Sequence, residues 1–323
     1  MAVRAHAPRV LIVGCGRIAG GFNEGDETAV LTHVVAYRRL SAEIVGCVDV
    51  DGETASRFAR RWSIPRAGID LAAMVHETQP EVVSLCTPPD ARLGPLRLVL
   101  AAPSVRSVLV EKPLALAVEE ALQIRALAAA SGRAVLVNYF RAFDPFYVEV
   151  ERACRAGEFG RLGLGTALYY GDAVTNSSHL LERLLAMLGP PSSARRLGGD
   201  ARQPTFELTW EGANVVVLPA IGCRYSPIEM DLLFESGRLR IVDSEGRAER
   251  FEARPDPRYP DFLNLVPVPL SSPSAPSPES MLGSVRAALA AAEEARPAGE
   301  PSSHLTRAVD VVRVLHEIEV GRG

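Results

Sequence analysis

The amino-acid sequence predicts an α/β protein with a doubly wound parallel sheet, followed by a second α/β domain with a mostly antiparallel open sheet. In the first 138 residues, short β-branched apolar runs alternate with helical segments, which is typical of a parallel sheet covered on both faces. After residue 138, strand-like runs follow one another across tight turns, which indicates antiparallel pairing. A chain of 323 residues with 47% apolar residues can bury two cores. We therefore expect domains at residues 1–138 and 139–323.

Each predicted strand of the first domain is a near-continuous apolar run, as expected where both faces of a sheet are buried. Segments of suitable length for crossover helices separate these runs. The predicted strands are RVLIV (9–13), EIVGCVDV (43–50), EVVSLC (81–86), SVLVE (107–111) and AVLVN (134–138).

The second domain contains hairpin-like runs such as TFELTWEGANVVVLPA and EMDLLFESGRLRIVD, whose Glu-Gly and Ser-Gly steps mark turns. A segment rich in Ser and Pro at 271–280 is predicted to be a surface loop. Two closing helices are predicted near 280–295 and 304–319. Both helices are expected in this second domain.

The composition favours small-molecule chemistry over binding to nucleic acid or membranes. The net charge is −4 at pH 7, and no run of Lys or Arg marks a surface for polyanions. The first apolar run is only about five residues long, too short for a leader or a membrane span, so we expect a cytoplasmic protein. Five cysteines without a Cys-x-x-Cys pair indicate reduced thiols, and we expect no bound metal.

A glycine-rich turn follows the first strand, and an acidic residue ends the second. In VGCGRIAGG, Gly14 and Gly16 allow a tight turn and the close approach of a pyrophosphate to bare N–H groups. Asp49 can accept hydrogen bonds from both ribose hydroxyls of an adenosine, and its charge would repel a 2′-phosphate. A polar insertion at 23–32 accounts for much of the extra spacing before Asp49. This combination predicts a Rossmann domain that binds NAD in preference to NADP.

The strand SVLVE runs into Glu111-Lys112-Pro113, which places a charge pair at the mouth of an apolar strand. A dehydrated, unpaired charge there would cost several kcal/mol, so folding alone would rarely select it. Ligands of doubly wound sheets bind at the carboxyl ends of the strands, so Lys112 is predicted to reach the nicotinamide and a substrate hydroxyl. Its ammonium would stabilise a developing alkoxide, and Glu111 would pair with it or orient it.

These motifs, in this order, resemble the glucose-fructose oxidoreductase, inositol dehydrogenase and rhizopine-catabolism (Gfo/Idh/MocA) family. The resemblance implies a Rossmann domain joined to an α/β domain whose open sheet often forms an oligomer interface. It also implies a nicotinamide cofactor and a sugar or cyclitol substrate. We therefore expect a homo-oligomer, dimer or tetramer, formed through the C-terminal sheet. Besides the glycine turn and Glu-Lys-Pro, the resemblance rests on LCTPPDARLGPL (85–96), NYFRAFDPFY (138–147) and NSSHLLERLLAMLG (176–189).

The resemblance also implies roles for single residues. The sequence departs from the family pattern at two positions in the loop after the predicted strand at 81–86. Pro89 stands where the family has Asn, and Arg92 stands where a His is common. Arg141 matches an arginine close to the nicotinamide and the substrate, although it could equally form an ion pair with Asp144. The expected cofactor contacts are Gly14, Gly16, Arg17, Ile18, Asp49, Thr87, Pro88, Glu111, Lys112 and Arg141.

A second candidate proton carrier lies in the helix SSHLLERLLAMLG. With serine caps at its start, this helix would hold His179 in its first turn, where the helix dipole disfavours imidazolium and keeps a base available. The acid that pairs with this histidine in family members corresponds to Thr175, and Glu182 replaces an Asp. The alternative that His179 only caps the helix or packs in the core therefore stays open. The expected substrate contacts are Lys112, Arg141, Asn176 and His179.

Together these features predict an NAD(P)-dependent dehydrogenase or reductase that acts on CH–OH groups. Hydride would pass between NAD and a secondary hydroxyl or ketone of a sugar, sugar derivative or cyclitol, with Lys112 and His179 as catalytic residues. An imine or enone reductase and a redox-neutral glycosidase are alternatives within the family. A non-catalytic protein that senses NAD or a ligand also stays open. His33, at the start of a crossover helix, is predicted to be structural.

Overall fold

The computed structural model describes residues 7–242, 246–269, 277, 279–294 and 301–320. The chain divides into two compact units. Unit 1 comprises the described residues of Met1–Phe143 and Pro278–Val309, and unit 2 those of Asp144–Ser277 and Asp310–Gly323. The predicted surface loop at 271–280 lies mostly outside the described residues.

Unit 1 is built on a parallel sheet with the strand order β3-β2-β1-β4-β5-β6. The order reverses between β1 and β4, and a crevice opens at such a point at the carboxyl ends of the strands. Strands β4, β5 and β6 are buried throughout, as their continuous apolar sequences predicted. The doubly wound sheet is confirmed. Its strands are β1 (Arg9–Val13), β2 (Glu43–Val48), β3 (Ala67–Gly68), β4 (Val82–Leu85), β5 (Ser107–Val110) and β6 (Ala134–Val137).

The helices follow in chain order and include the predicted crossovers of unit 1. Asp51 caps the start of α2 by accepting a hydrogen bond from the backbone N–H of Glu53, and Asp70 caps α3 in the same way. The helices are α1 (His33–Arg39), α2 (Gly52–Trp62), α3 (Leu71–Thr78), α4 (Leu93–Ala101), α5 (Val118–Ser131), α6 (Pro145–Arg155), α7 (Ser178–Leu188), α8 (Ser280–Ala291) and α9 (Ser303–Val320).

Unit 2 carries the mostly antiparallel sheet, in the order β14-β13-β12-β11-β7-β10-β9-β8. Its pairs are antiparallel except β7 with β10, which run parallel. Burial alternates along β9 to β12, so one face of the sheet lies in the core. The strands are β7 (Leu162–Tyr169), β8 (Ser193–Gly199), β9 (Pro204–Trp210), β10 (Ala213–Pro219), β11 (Glu229–Phe234), β12 (Gly237–Val242), β13 (Arg247–Pro255) and β14 (Leu263–Val268).

The units depart from the expected domain boundaries, 1–138 and 139–323, at the closing helices. Helix α8 was expected in the second domain, but its apolar side chains Met281, Val285 and Ala288 belong to the core of unit 1, with Val10 and Ile12 of β1. The unit boundary falls inside α9, after Val309. The apolar face of α8 is readable from its sequence, but the sheet that covers this face is set by long-range packing.

Candidate active site

A cavity of about 750 Å³ opens at the carboxyl ends of β1, β2, β4 and β5 in unit 1. It lies at the point where the strand order reverses, which is where doubly wound folds bind ligands. Arg17 and Arg141, two predicted cofactor contacts, are not among the residues that line it. The other predicted contacts do line it: Gly14, Gly16, Ile18, Asp49, Thr87, Pro88, Glu111 and Lys112.

The glycine turn is held against the ends of β2 and β4. Gly14 has a φ of +89°, and a Cβ there would lie 2.9 Å from the carbonyl carbon of Cys86, so this position requires glycine. A Cβ at Gly16 would meet nothing within 4 Å, which leaves the approach to this turn open. Both features suit a turn that a phosphate must approach closely.

The carboxylate of Asp49 shapes this turn as well as the cavity wall. Its Oδ2 accepts a hydrogen bond from the backbone N–H of Cys15 at 2.7 Å, and its Oδ1 accepts one from the N–H of Asp51 at 3.1 Å. The side chain is only partly buried. Asp49 can therefore hold the turn and still offer lone pairs to a ligand hydroxyl.

Two buried polar atoms in the cavity wall have no hydrogen-bond partner among the described residues. They are the Oγ1 of Thr87 and the Nε of Arg92. Buried polar groups are nearly always hydrogen-bonded, so two such atoms in a cavity wall suit a polar ligand. With the glycine turn and Asp49, these atoms fit a dinucleotide, which would lie along Gly14, Gly16, Asp49 and Thr87.

Arg92 entered the sequence analysis only as a departure from a family histidine. The structure buries it almost completely in the wall of the cavity. Its guanidinium donates hydrogen bonds to the backbone carbonyls of Thr87, at 2.7 Å, of Leu114, at 3.0 Å, and of Pro113. Arg92 therefore ties the loop after β4 to the segment that follows Lys112, a role that its place in the sequence did not reveal.

Lys112 is the second residue after β5 and is partly buried in the cavity wall. Burial lowers the pKa of its ammonium below the ordinary value, the carboxylate of Glu111 acts in the opposite direction, and the nearby guanidinium of Arg141 lowers the pKa further. A lysine in this environment gives up its proton more readily than a lysine in water. The predicted pairing of Glu111 with Lys112 agrees with this electrostatic contact.

The composition of the chain sets Lys112 apart from the other basic residues. Of the 35 basic residues in the chain, 34 are Arg and one is Lys, and that one is Lys112. A guanidinium stays protonated in proteins, whereas a buried lysine amine can lose its proton. The single lysine side chain of the sequence therefore lies in the wall of this cavity.

The two carboxylate oxygens of Glu111 accept hydrogen bonds from different groups. Its Oε1 accepts hydrogen bonds from the Nε2 of His33 at 2.8 Å and from the Nδ2 of Asn138 at 2.5 Å. Its Oε2 accepts one from the backbone N–H of Lys112 at 3.2 Å. Burial would raise the pKa of Glu111, but His33, Asn138 and Lys112 hold it below the ordinary value. Glu111 is therefore a carboxylate at neutral pH.

Asn176 and His179, the two predicted substrate contacts in unit 2, lie in a helical segment that starts differently from the prediction. A single π-helical turn, Ala173–Ser177, precedes α7. Asp172 caps that turn by accepting a hydrogen bond from the N–H of Thr175 at 3.2 Å. The predicted serine caps are wrong: the hydroxyls of Ser177 and Ser178 donate back to the carbonyls of Ala173 and Thr175.

This start changes the argument for His179, which is buried as the second residue of α7. The free N–H groups of the helical segment lie near Asp172, one turn earlier, so the helix end no longer argues for a neutral imidazole at His179. Asn176 is partly exposed, and its amide packs over Gly171, where a Cβ would lie 2.4 Å from its nitrogen.

The two remaining arginines of the prediction lie on aromatic rings in unit 1. The guanidinium of Arg17 stacks on Phe22, at 4.4 Å from the ring centroid, and that of Arg141 stacks on Phe140, at 4.7 Å. Asp144, the alternative partner of Arg141, caps α6 through the N–H of Phe146 and also accepts a hydrogen bond from the N–H of Ser277.

The parallel sheet, its glycine turn and the acid that ends β2 define unit 1 as a dinucleotide-binding Rossmann unit. Residues 8–139 match the model of the GFO_IDH_MocA oxidoreductase family, described as having an NAD-binding Rossmann fold. This match confirms, for residues 8–139, the resemblance to the Gfo/Idh/MocA family seen in the sequence.

Two curated proteins of Saccharopolyspora erythraea are similar in sequence. Inositol 2-dehydrogenase 4 is 33% identical over 155 residues, which span 47% of this chain and 42% of that protein. Inositol 2-dehydrogenase 3 is 26% identical over 73% of both chains. The first of these matches therefore spans less than half of the relative's length.

Solved structures extend the likeness of fold over nearly the whole chain. An oxidoreductase from Agrobacterium radiobacter, crystallised with NAD⁺, L-tartaric acid and magnesium, has a TM-score of 0.73 at 15% identity, over 98% of this chain and 96% of that one. This likeness confirms the predicted fold class. Within the part of the chain that the structure describes, no helix is both long and apolar enough to cross a bilayer.

Proposed function

We propose that this protein is an NAD-dependent dehydrogenase that oxidises a secondary hydroxyl of a sugar-like or cyclitol substrate. The observation that carries the proposal is the position of the single lysine of the chain, in the wall of the dinucleotide cavity beside Glu111. The family match and the inositol dehydrogenase relatives support the reaction class and the type of substrate.

The reaction needs a group that takes the hydroxyl proton while hydride leaves the same carbon. NAD, when bound, would accept the hydride. We assign the proton to Lys112, because burial and Arg141 lower the pKa of its ammonium, and a neutral amine can accept a proton from a hydroxyl. Arg92 would keep the segment after Lys112 in place through its bonds to the carbonyls of Pro113 and Leu114.

Substitution of Lys112 tests the proposal, with Lys112→Arg and Lys112→Met as a matched pair. Arginine keeps the positive charge but not the removable proton, so both variants should lose about 100-fold or more in turnover of NAD with a panel of cyclitols and sugars. Binding of NADH, measured by fluorescence titration, should stay within a few-fold of wild type. Near-normal turnover by Lys112→Arg would show that charge alone suffices and that the proton role is wrong.

Asp49 is proposed to select NAD over NADP, because its carboxylate would repel a 2′-phosphate. Purified protein should bind NADH more tightly than NADPH, and Asp49→Asn, which removes the charge at equal size, should narrow the difference. Both are measurable in the same fluorescence titration. Equal affinities in the wild type, or a preference for NADPH, would contradict this assignment.

The remaining predicted roles stay part of the proposal. His179, Asn176 and Arg141 are proposed substrate contacts, and exchanging each for a side chain of similar size should raise the substrate KM or lower turnover. A homo-oligomer through the sheet of unit 2 is proposed from the family resemblance, and light scattering would measure its mass. A cytoplasmic location stays a prediction from the sequence.

A further inference from the structure

A chain of buried polar groups lies behind Glu111, and the proposed reaction leaves it unused. His33, fully buried at the start of α1, contacts Glu111 through its Nε2, at 2.8 Å. Its Nδ1 lies 3.0 Å from the Oγ of Ser84 on β4, and the hydroxyl of Tyr37 lies 2.8 Å from the same Oγ. Such a chain is costly to bury, and apolar side chains at all of these positions could fill the same space if its role were only structural.

The charges around this chain indicate that the imidazole is protonated. Burial opposes a charged imidazole, but Cys86, at the end of β4, and the carboxylate of Glu111 raise the pKa of His33 above its ordinary value. Because Glu111 is itself held as a carboxylate and lies 2.8 Å from the Nε2 of His33, this buried contact favours the imidazolium form of the ring.

Glu111 connects this pair to Lys112: its carboxylate accepts a hydrogen bond from the backbone N–H of Lys112, and its charge acts on the lysine ammonium. The other charges that face these groups are the guanidinium of Arg141 toward Lys112 and that of Arg92 toward Glu111. By itself, the carboxylate of Glu111 would hold the proton on Lys112. A positive charge 2.8 Å from that carboxylate acts in the opposite sense, because any cation lowers the proton affinity of its neighbours.

We propose that His33 is a positioning residue whose positive charge offsets the carboxylate of Glu111, so that Lys112 releases its proton more readily. The inference rests on the proposed role of Lys112 as the proton acceptor. It gives opposite signs to the two partners: the charge on His33 favours the neutral amine, and the charge on Glu111 favours the ammonium.

The single lysine makes this inference directly measurable. Full-length protein grown with lysine labelled with ¹³C at Cε gives one lysine resonance, whose shift against pH reports the protonation of Lys112. His33→Gln keeps a hydrogen-bond donor without the charge and should raise the pKa of Lys112 by about one unit. Glu111→Gln should lower it by a similar amount. In the pH profile of kcat, the limb that depends on Lys112 should move with the resonance.

Two control variants separate charge from loosened packing. Tyr37→Phe and Ser84→Ala each remove a hydroxyl from the same chain of groups without changing any charge, so both should titrate as the wild type does. The inference is overturned if His33→Gln leaves the resonance unchanged or lowers its midpoint, or if the control variants raise it equally. It is also overturned if the pKa of Lys112 rises in a folded Glu111→Gln variant.

The titration needs neither substrate nor cofactor, so it separates this inference from the proposed function. If the wild type binds no NADH and oxidises no polyol, the proposed function fails, yet the titration still decides what His33 does to Lys112. If turnover is normal but His33→Gln and Glu111→Gln do not shift the pKa of Lys112 in opposite directions, the proposed function stands and the proposed role of His33 is wrong.

Discussion

Two regions of the molecule carry ion pairs with a similar contact distance and different surroundings. In unit 1, His33 and Glu111 lie 2.8 Å apart, with side chains 0% and 8% exposed. On the sheet of unit 2, Arg238 on β12 donates to Asp231 on β11 at 2.8 Å, but these side chains are 32% and 26% exposed. Water screens the second pair and hardly reaches the first.

The difference shows that burial, more than distance, determines what an ion pair can do. In a low-dielectric setting a charge acts strongly on its neighbours, so the buried pair can alter the proton affinity of Lys112. The exposed pair lies in a ladder with Arg240 and Glu249, where water and other charges dilute each contribution. The buried pair is therefore suited to chemistry and the exposed pairs to a solvated surface.

The largest effect should follow from breaking the buried pair. His33→Leu leaves the carboxylate of Glu111 buried without its imidazolium and should reduce the free energy of unfolding by about 3–5 kcal/mol. Urea denaturation at neutral pH measures this loss. The double variant His33→Leu/Glu111→Met removes both charges and should recover at least part of it. A single variant as stable as the wild type would mean that the pair is not ionised.

The stability difference between wild type and His33→Leu should also depend on pH. The pKa of His33 is raised from 6.5 to about 10, so its contribution is fully present below pH 6.5 and is lost as the pH rises through about 10. The pKa of Glu111 is held below 4.5, so its contribution is lost only in more acidic solution. Urea titrations should therefore find the largest difference between about pH 4.5 and 6.5. A difference that grows toward pH 10 would contradict the assigned charges.

The smallest effect should follow from breaking the exposed pair. Arg238→Gln keeps most of the side-chain volume and should cost about 1 kcal/mol or less, because the pair is partly solvated. Added salt should reduce this small cost further, whereas the cost of His33→Leu should respond little to salt. Urea denaturation at two salt concentrations measures both. A loss above about 2 kcal/mol for Arg238→Gln would remove the contrast between the two regions.

Much of the candidate site could be predicted because its signals are local. Each apolar run is recognisable as a strand, and the glycine turn, Asp49 and Lys112 each follow the end of one. A doubly wound sheet brings those carboxyl ends together at the cavity. The start of α7 was less predictable, because serine hydroxyls can either cap a helix or donate back to its carbonyls. The choice depends on Asp172, which caps the preceding turn.

The sequence by itself determined the two sheets, the turn that suits a dinucleotide, and the single lysine, because strand patterning, glycine geometry and amine chemistry are properties of residues and their neighbours along the chain. Only the tertiary structure decided which core receives α8, which carbonyls Arg92 holds, and that His33 meets Glu111 across 78 positions. Such contacts form between segments that are distant in the chain, and their strength comes from shared burial, which no local pattern encodes.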